Sequence, residues 1–266
     1  MKKENIYSSL DILCKEAIIK AGKISINLQK KLNIKYKSEN QPVTNADIEI
    51  NEFLKKYFKE LTPQYGWLSE ESIDDNSRNK LDSFWCLDPI DGTRSYIYGK
   101  PEFTISLALI TNDRPVLGFI YNPTTEEFFF AKHKHGSFCN EKQIFVNKKT
   151  DIDNSSIAAS SSEIKRLEKH SFFKMKKIKK MGSIAYKIAL VAKGEIDIAI
   201  SFTKKNDWDL AAADLLVSEA GGEIKTIMGE KINYNTDKLR IDSVMAGNLE
   251  LTSDLIKVLK KSNEPK

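Results

Sequence analysis

The spacing of hydrophobic residues predicts two helices in the first quarter of the chain. From residue 8 to about residue 30, apolar side chains recur every three or four positions, which is the spacing of one helix face. Residues 31–36 are expected to form a short strand, and residues 38–42 a loop. The helical spacing then returns after Thr44, with apolar positions at Ala46, Ile50, Phe53, Leu54 and Tyr57. Both helices are therefore expected to face a core.

From residue 84 onward, short strands separated by turns replace the helical pattern. The apolar run Phe84–Leu87 predicts a buried strand that stops at Asp88, and residues 103–110 alternate as a strand does. Further strands are predicted over residues 116–121, 127–131 and within 137–146. The first half of the chain is therefore predicted to be an antiparallel meander with two helices packed behind it.

After residue 150, predicted strands and helices alternate, which favours an α/β arrangement. The predicted strands are residues 157–160, 196–202 and a strand near Val244, and the predicted helices are residues 163–169, 184–192, 210–220 and 251–259. The predicted fold class is α/β. It is divided into an α+β lobe over residues 1–150 and an α/β lobe over residues 151–266.

The composition is that of a folded globular protein. Of the 266 residues, 41% are hydrophobic and 30% are charged, which is enough apolar material for a sizeable core. No apolar run approaches the roughly 18 residues typical of a membrane span. The N-terminal residues lack the apolar core of a signal peptide, so we expect a cytoplasmic protein.

The cysteines and histidines do not predict a disulfide framework or a zinc site. Cys14, Cys86 and Cys139 are far apart and lack C-x-x-C spacing. His133 and His135 lie in a predicted hairpin turn, where the pattern does not favour metal binding.

Positive charge is concentrated in one segment of the chain. The formal net charge is only +5, but residues 165–180 carry Lys165, Arg166, Lys169, Lys174, Lys176, Lys177, Lys179 and Lys180. Such a run forms a solvated surface in most proteins. It is also compatible with binding of an anionic substrate or of nucleic acid.

The stretch from Trp85 to Thr93 carries the most informative chemistry. Two carboxylates, Asp88 and Asp91, follow an apolar run and precede Gly92 and Thr93. Carboxylate oxygens are ligands for Mg²⁺, which accepts further ligands from a substrate phosphate. A glycine lets backbone N–H groups approach an anion closely. The alternative interpretation is an ordinary turn, because Asp and Gly are common turn residues.

Three further carboxylates occupy similar positions at the ends of predicted elements. Asp47 has capping-box spacing from Thr44, Glu70 follows a predicted strand, and Asp209 lies at the start of a predicted helix, where an N-cap is the alternative interpretation. Clustered carboxylates repel one another unless cations lie between them. Together with Asp88 and Asp91, these residues predict a site for two or three Mg²⁺ ions.

At five stretches the chain resembles the inositol monophosphatase superfamily. They are residues 42–47, 68–71, 85–93, 182–183 and 208–222, and they occur in the order and with the spacing of the family. The combination of D-P-I-D-G-T with W-D-x-A-A…E-A-G-G is highly specific. The resemblance implies an α/β/α/β/α layered sandwich of the inositol monophosphatase and fructose-1,6-bisphosphatase type. It also implies Mg²⁺-dependent hydrolysis of a phosphate monoester.

The resemblance implies a metal-binding role for five residues. Glu70 and Asp88 would hold one ion. Asp88, Asp91 and Asp209 would hold a second, with Asp88 as the bridge, and the Ile90 carbonyl would complete a metal shell. Most of these ligands lie in the first predicted lobe, and Asp209 lies in the second.

The resemblance implies catalytic and substrate-binding roles for further residues. Asp47 and Thr93, beside Glu70, would orient or deprotonate the attacking water, and Asp47 could help to hold a third ion. The Gly92 and Thr93 backbone would hold the phosphate. The remaining predicted substrate-binding residues are Arg94, Gly182, Ser183 and Lys187, and the second lobe is expected to set specificity.

Residues 102–110 and 116–123 look like the 3′(2′),5′-bisphosphate nucleotidase branch. The substrate of that branch is adenosine 3′,5′-bisphosphate, a by-product of sulfate assimilation. Arg94 and Lys187 are candidates to contact a second phosphate, and ordinary surface roles are the alternative. Inositol phosphatases carry a Glu before the W-D motif, whereas this chain has residues 202–204, Phe-Thr-Lys.

Other functions stay open from the sequence. Inositol 1-phosphate, histidinol phosphate or a sugar bisphosphate are alternative substrates. A member of the superfamily also binds the transcription machinery, and the basic run over residues 165–180 is compatible with that role. The expected partner is a small phosphate ester rather than nucleic acid, and a homodimer is possible because the family is often dimeric.

Overall fold

The computed structural model describes residues 8–39, 41–167 and 177–262, which form seven α-helices and sixteen strands. The helices are α1 (Ser9–Gln29), α2 (Asn45–Leu61), α3 (Thr93–Ile97), α4 (Ser161–Leu167), α5 (Ile184–Ala192), α6 (Asp207–Glu219) and α7 (Leu249–Ser262). The strands of the first half are β1 (Ile34–Ser38), β2 (Gln41–Thr44), β3 (Gly66–Ser69), β4 (Ser83–Asp91), β5 (Thr104–Thr111), β6 (Arg114–Asn122), β7 (Glu127–Lys132), β8 (Gly136–Cys139) and β9 (Lys142–Gln143). Those of the second half are β10 (Ile157–Ala159), β11 (Ile178–Lys180), β12 (Ile198–Ser201), β13 (Lys205–Asn206), β14 (Glu223–Lys225), β15 (Arg240–Ile241) and β16 (Val244–Gly247).

Two larger sheets organise the fold. The first has seven strands in the order β3-β4-β5-β6-β7-β8-β9, and the predicted antiparallel meander accounts for all of it except the parallel pair β3 and β4. The second has five strands in the order β11-β10-β12-β16-β14. In it, β10 runs parallel to β11 and β12, and β16 is antiparallel to its neighbours.

Alternation along the strands shows which layers lie on each side of the first sheet. Trp85 and Leu87 of β4 belong to one hydrophobic cluster with α1 and α2. Phe84 and Cys86 belong to another cluster with α5 and α6. Because side chains of a strand point alternately to opposite faces, the sheet lies between these two helix pairs.

The same alternation places the second sheet. Ala158 and Ala199 pack with α5 and α6, whereas Ile157 and Ile198 pack with α7 and with Leu167 of α4. The order of layers is therefore helices, sheet, helices, sheet, helices. This arrangement confirms the predicted α/β/α/β/α fold class.

Strand β4 and helix α6 differ from the prediction in ways that affect the site. Strand β4 does not stop at Asp88 but continues to Asp91. Asp88 is paired with Ser106 of β5 and Asp91 with Thr104, and the register shifts between the two pairs. Helix α6 begins at Asp207, three residues earlier than predicted, because Asn206 is its N-cap.

The segment before α2 is a hairpin rather than a strand followed by a loop. Strand β1 begins at Ile34 and pairs with β2, whose first two residues were predicted to lie in the loop. All five residues of β1 are exposed, so the strand has no buried face that alternation could reveal. Thr44 does cap α2, and the predicted capping box with Asp47 is present.

The described residues include no helix that is long and apolar enough to cross a membrane. The predicted division into lobes near residue 150 falls between β9 and β10 and stays a prediction. Of the predicted basic run, Lys169, Lys174 and Lys176 lie outside the described residues.

Candidate active site

The end of β4 brings two buried carboxylates to one edge of the seven-stranded sheet. Pro89 has no N–H to donate to a neighbouring strand, so a break in pairing is expected there. The Ile90 N–H donates instead to Asp88 Oδ1 at 3.0 Å. The exposed fractions of Asp88 and Asp91 are 1% and 6%, so water does little to balance their charge.

A third carboxylate reaches this edge from the first turn of α6. Asp209 is the third residue of the helix, and its Oδ2 accepts a hydrogen bond from the Asn206 N–H at 2.5 Å. Helix α6 can approach the sheet closely because Gly118 of β6 has no side chain. A Cβ there would lie 2.9 Å from the Ala212 carbonyl oxygen.

Asp88, Asp91 and Asp209 form one cluster, which we call the carboxylate trio. One oxygen from each lies within 4.8 Å of the others. Burial raises the pKa of Asp88 well above its usual range, and the neighbouring carboxylates, Glu70 first, raise it further. Burial and the charge of Asp91 raise the pKa of Asp209 to about 7. The trio is therefore short of positive charge, and hard divalent cations such as Mg²⁺ fit its oxygen donors.

Asp91 is held by the turn that starts α5. Its Oδ2 accepts hydrogen bonds from the Ser183 hydroxyl at 2.5 Å and from the Ala185 N–H at 2.6 Å. Ser183 has a φ of 39°, a strained value for a residue with a side chain. Burial raises the pKa of Asp91, and these two hydrogen bonds oppose that rise. The contacts fix the orientation of Asp91 relative to the other two carboxylates.

Glycines allow this turn to contact the loop after β4. Gly92 has a φ of 94°, and a Cβ there would lie 3.1 Å from Ser183 Cβ and from the Ser183 nitrogen. A Cβ at Gly182 would overlap Ser95 Oγ. Three predicted site residues, Gly92, Gly182 and Ser183, are thus brought together beside Asp91.

Asp47 and Thr93 lie on the other side of the loop. Thr93 Oγ1 is 3.4 Å from Asp47 Oδ1 and 3.1 Å from the Ile90 carbonyl oxygen. The second oxygen of Asp47 accepts hydrogen bonds from Thr44 N at 2.8 Å and Thr44 Oγ1 at 2.6 Å. Burial raises the pKa of Asp47 to about 6. The two interpretations of Asp47 are therefore compatible, since one oxygen caps α2 and the other faces Thr93.

Glu70 lies beside the carboxylate trio but is not one of the three residues within 4.8 Å of one another. Its Oε1 forms an ion pair with Lys37 Nζ of β1 at 3.1 Å, and Lys37 also reaches Glu71 Oε1 at 2.5 Å. Glu70 is nevertheless close enough to raise the pKa of Asp88 and of Asp47. It remains a candidate ligand whose carboxylate faces a lysine in this structure.

Arg94 lies on the wall of an open cleft next to this loop. The cleft has a volume of about 540 Å³ and is also lined by Gly182. Lys187, the other residue predicted to contact a second phosphate, does not line the cleft. Its side chain is only 3% exposed, and its Nζ lies 3.8 Å from Glu163 Oε2.

Sequence reasoning missed Glu163 and Lys37. Glu163 is 2% exposed and accepts hydrogen bonds from the backbone N–H groups of Ser160 and Phe202, both at 3.0 Å, and from the Ser201 hydroxyl. A Ser followed three residues later by Glu is a capping signal, which could have identified Glu163. The single lysine in the apolar stretch 184–192 could have indicated a buried partner. Nothing in the exposed strand β1 singles out Lys37.

Comparison with known proteins agrees with this geometry. A family model described as inositol monophosphatase family matches residues 7–264. The chain is 33% identical over 228 residues to the 3′(2′),5′-bisphosphate nucleotidase CysQ of Buchnera aphidicola, covering 83% of this chain and 84% of the relative. It is 31% identical over 251 residues to the inositol-1-monophosphatase of Bacillus subtilis, covering 91% and 93%.

A solved structure resembles the whole chain. The extragenic suppressor protein suhB of Bartonella henselae aligns with a TM-score of 0.85 at 26% identity, covering 96% of this chain and 99% of that one. Relatives with different names match at similar identity, so the comparisons establish the family without favouring one substrate. The chain belongs to the inositol monophosphatase family and is a metal-dependent phosphatase.

Proposed function

We propose that the protein is a Mg²⁺-dependent 3′(2′),5′-bisphosphate nucleotidase, which converts adenosine 3′,5′-bisphosphate and water to AMP and phosphate. The observation that carries this proposal is the position of the carboxylate trio beside a cleft that is lined by cationic side chains. The trio suits the reacting phosphate and its metal ions. The cleft suits a second negatively charged group on the same substrate.

In this proposal Asp88, Asp91 and Asp209 hold the metal ions, with Glu70 and the Ile90 carbonyl as further ligands. Two or three Mg²⁺ ions, when bound, would neutralise the phosphate and lower the pKa of a coordinated water. Lys37, which pairs with Glu70, would have to move away before Glu70 could act as a ligand. The hydrogen bonds from Ser183 and Ala185 would keep Asp91 oriented during turnover.

Asp47 and Thr93 act on the attacking water. The Thr93 hydroxyl lies between the Asp47 carboxylate and the Ile90 carbonyl, and it orients the water for attack on phosphorus. Asp47 accepts the proton that the water loses. A new P–O bond forms, the ester P–O bond breaks, and the departing 3′-oxygen takes up a proton from solvent. The Gly92 and Thr93 backbone N–H groups bind phosphate oxygens through the reaction.

A substrate panel tests the proposal. The rate of phosphate release should be measured with adenosine 3′,5′-bisphosphate, inositol 1-phosphate and histidinol phosphate at the same Mg²⁺ concentration. We expect the nucleotide to have the highest kcat/KM and EDTA to abolish release from all three. Equal or faster hydrolysis of inositol 1-phosphate would contradict the substrate assignment but would still support phosphatase activity.

Inositol 1-phosphate is the second candidate substrate, because the Bacillus subtilis inositol-1-monophosphatase matches 91% of this chain. The residues before α6 argue against it. The sequence there is Phe202-Thr203-Lys204, without the Glu that the resemblance leads us to expect in an inositol phosphatase. A role in binding the transcription machinery stays an alternative, and RNA retention without phosphate release would favour it. Homodimer formation also stays a prediction.

A further inference from the structure

The cleft beside the loop after β4 is unusually rich in cationic side chains. Arg94, Lys100, Lys165 and Lys180 line it, and one carboxylate, Glu102, is also present. The four positive side chains therefore outnumber the negative one by three. A phosphate group carries a charge of about −1.5 to −2 near neutral pH, so this cleft suits a phosphate rather than a neutral sugar.

The cleft is directly connected to the candidate metal site through the chain after β11. Lys180 is the last residue of β11, and the next three residues lead to Ser183, whose hydroxyl donates to Asp91 Oδ2 at 2.5 Å. Gly182 lies in this connection and lines the cleft. An anion beside Lys180 would thus lie close to a phosphate bound at Gly92, within the span of one small molecule.

Helix α4, which contributes Lys165 to the lining of the cleft, is anchored to the rest of the fold. Two residues before Lys165, the buried Glu163 accepts hydrogen bonds from Phe202 N–H and Ser201 and faces Lys187 at 3.8 Å. These contacts tie α4 to β12 and α5. The hydroxyl-bearing segment Ser160–Ser162 precedes Lys165 and also lines the cleft, so hydroxyl donors accompany the ammonium group.

Lys187 is unsuited to bind this second anion in the arrangement observed. It is buried against Glu163 and does not line the cleft. Burial lowers the pKa of Lys187, although the charge of Glu163 opposes that change. Lys165 and Lys180 are exposed and line the cleft beside Arg94 and Lys100, so these two lysines, rather than Lys187, can reach a ligand there.

An aromatic ring is also exposed at the cleft. Tyr98, the residue that follows α3, lines the cleft and is 75% exposed. Tyrosine is intermediate in burial among the residue types, and a ring that is this exposed is a surface on which a nucleobase can stack. The cleft thus combines cations for a phosphate with a ring for a planar group.

We propose that Lys165 and Lys180 bind the phosphate that is not hydrolysed, and that Tyr98 stacks on the base of the same substrate. The substrate class is then a nucleoside bisphosphate. This inference rests on the proposed function, because it takes the reacting phosphate to lie at Gly92 and Thr93. It assigns specificity to three residues that belong neither to the carboxylate trio nor to the Asp47–Thr93 pair.

The test compares two neighbouring lysines of β11. Lys179 and Lys180 are both exposed, but only Lys180 lines the cleft, as expected for adjacent residues of a strand. We expect Lys180→Gln to raise KM for adenosine 3′,5′-bisphosphate about tenfold, since a charge-assisted contact is lost. Lys165→Gln should act likewise, while kcat/KM for inositol 1-phosphate should stay within about twofold. Lys179→Gln should change neither value, and thermal unfolding should show that all three variants are folded.

The outcomes separate this inference from the proposed function. Equal effects on both substrates, no effect at Lys180, or the same effect at Lys179 would overturn the inference even if phosphate is released normally. If the wild-type protein hydrolyses neither substrate, the proposed function fails. Calorimetric binding of adenosine 3′,5′-bisphosphate then decides the inference: weaker binding by Lys180→Gln than by Lys179→Gln supports it, and equal or absent binding overturns it.

Tyr98→Ala distinguishes a nucleoside bisphosphate from a sugar bisphosphate. We expect KM to rise several-fold for adenosine 3′,5′-bisphosphate and to stay unchanged for fructose 1,6-bisphosphate. An unchanged KM for the nucleotide would overturn the assignment of Tyr98 and of the nucleoside.

Discussion

Two clusters of buried charge meet helix α5, and they differ in whether their charges are balanced. The carboxylate trio contacts the first turn of the helix through Ser183 and Ala185. Along the same helix, Lys187 faces Glu163. Burial alone would raise the pKa of Glu163, but Lys187 and several hydrogen bonds outweigh it and hold that pKa below its usual value. In the trio, burial keeps all three pKa values raised, although the charges of Lys187 and Lys205 lower the pKa of Asp91 and that of Lys205 lowers the pKa of Asp209.

This difference separates a ligand site from a structural contact. A buried charge that has its counter-ion and its hydrogen bonds within the protein needs no ligand, and removing one partner costs stability. A buried cluster of like charges costs free energy until cations are bound, and it is therefore a candidate metal site. Substitutions in the trio should therefore affect turnover, whereas substitutions in the Glu163–Lys187 pair should affect folding.

The largest expected effect is the loss of turnover when the trio loses a carboxylate. Asp88→Asn or Asp209→Asn should reduce kcat by about 1000-fold or more, because the metal ions supply most of the charge stabilisation in such a reaction. Asparagine preserves the shape of the side chain, so the melting temperature without metal should not fall. Phosphate release at saturating Mg²⁺ and thermal unfolding are the two measurements.

The matched control for these variants is Asp254→Asn, the same change of charge in α7. The Asp254 side chain is 42% exposed and pairs with Lys257 at 2.8 Å. This variant should keep wild-type kcat. A trio variant with nearly normal turnover would contradict the assignment of the metal ligands.

The opposite behaviour is expected of Lys187→Met. The substitution leaves Glu163 buried without its counter-ion, which should reduce the free energy of unfolding by about 3 kcal/mol. The double variant with Glu163→Gln should recover part of that loss, because no uncompensated charge remains. Urea unfolding measures both quantities.

Lys193→Met is the comparison for this experiment, since Lys193 follows α5 and pairs with Glu127 at 2.6 Å while 28% exposed. We expect that partly solvated pair to contribute only about 1 kcal/mol or less. If Lys187→Met were as stable as wild type and instead raised KM for the bisphosphate alone, Lys187 would contact substrate as the sequence predicted.

Asp47 tests whether a cap and a catalytic group can share one carboxylate. Asp47→Asn should lower kcat about 100-fold, the lower end of what a general base contributes, while asparagine can still cap α2. Asp11 is the matched control, because it occupies the same capping-box position in α1 and is also buried. Kinetics corrected for the folded fraction should show no loss of kcat for Asp11→Asn. Equal losses of kcat in both variants would mean that Asp47 serves only as a helix cap.

Much of the fold could be predicted because periodicity reports burial. Helix α5 has the bounds that its apolar spacing predicts, residues 184–192, and strands β5, β6 and β7 lie within one or two residues of the predicted ranges. Strand β4 runs four residues past its predicted end. Strand β1 could not be predicted well, because all its residues are exposed and no alternation exists. The early start of α6 depends on Asn206, whose side chain carries no periodic signal.

The candidate site also has a part that could be predicted from the sequence and a part that could not. The trio and the Asp47–Thr93 pair could be predicted, since their residues lie in specific motifs at the ends of predicted elements. The cleft could not, because Lys165, Lys180 and Tyr98 come from three elements and form a surface only through the packing of α4 and β11 beside α3. The burial of Lys187 could not be predicted either, because it depends on the contact with Glu163, which lies 24 positions earlier in the chain.

The smallest expected effect is the pH dependence of stabilisation by Mg²⁺. The folded-state pKa of Asp209, about 7, lies above the ordinary value of 3.8. Without metal, its contribution is therefore favourable below about pH 4 and is lost as the pH rises through about 7. Mg²⁺ binds the deprotonated carboxylates, so its stabilisation should increase over that same interval. At a Mg²⁺ concentration of ten times Kd, this stabilisation should reach about 1.4 kcal/mol near pH 8.

Melting temperatures in EDTA and in MgCl₂ at pH 5 and pH 8 measure the difference. The increment should persist in Asp254→Asn and vanish in Asp88→Asn, and equal increments at both pH values would mean that Mg²⁺ does not compete with protons at the trio.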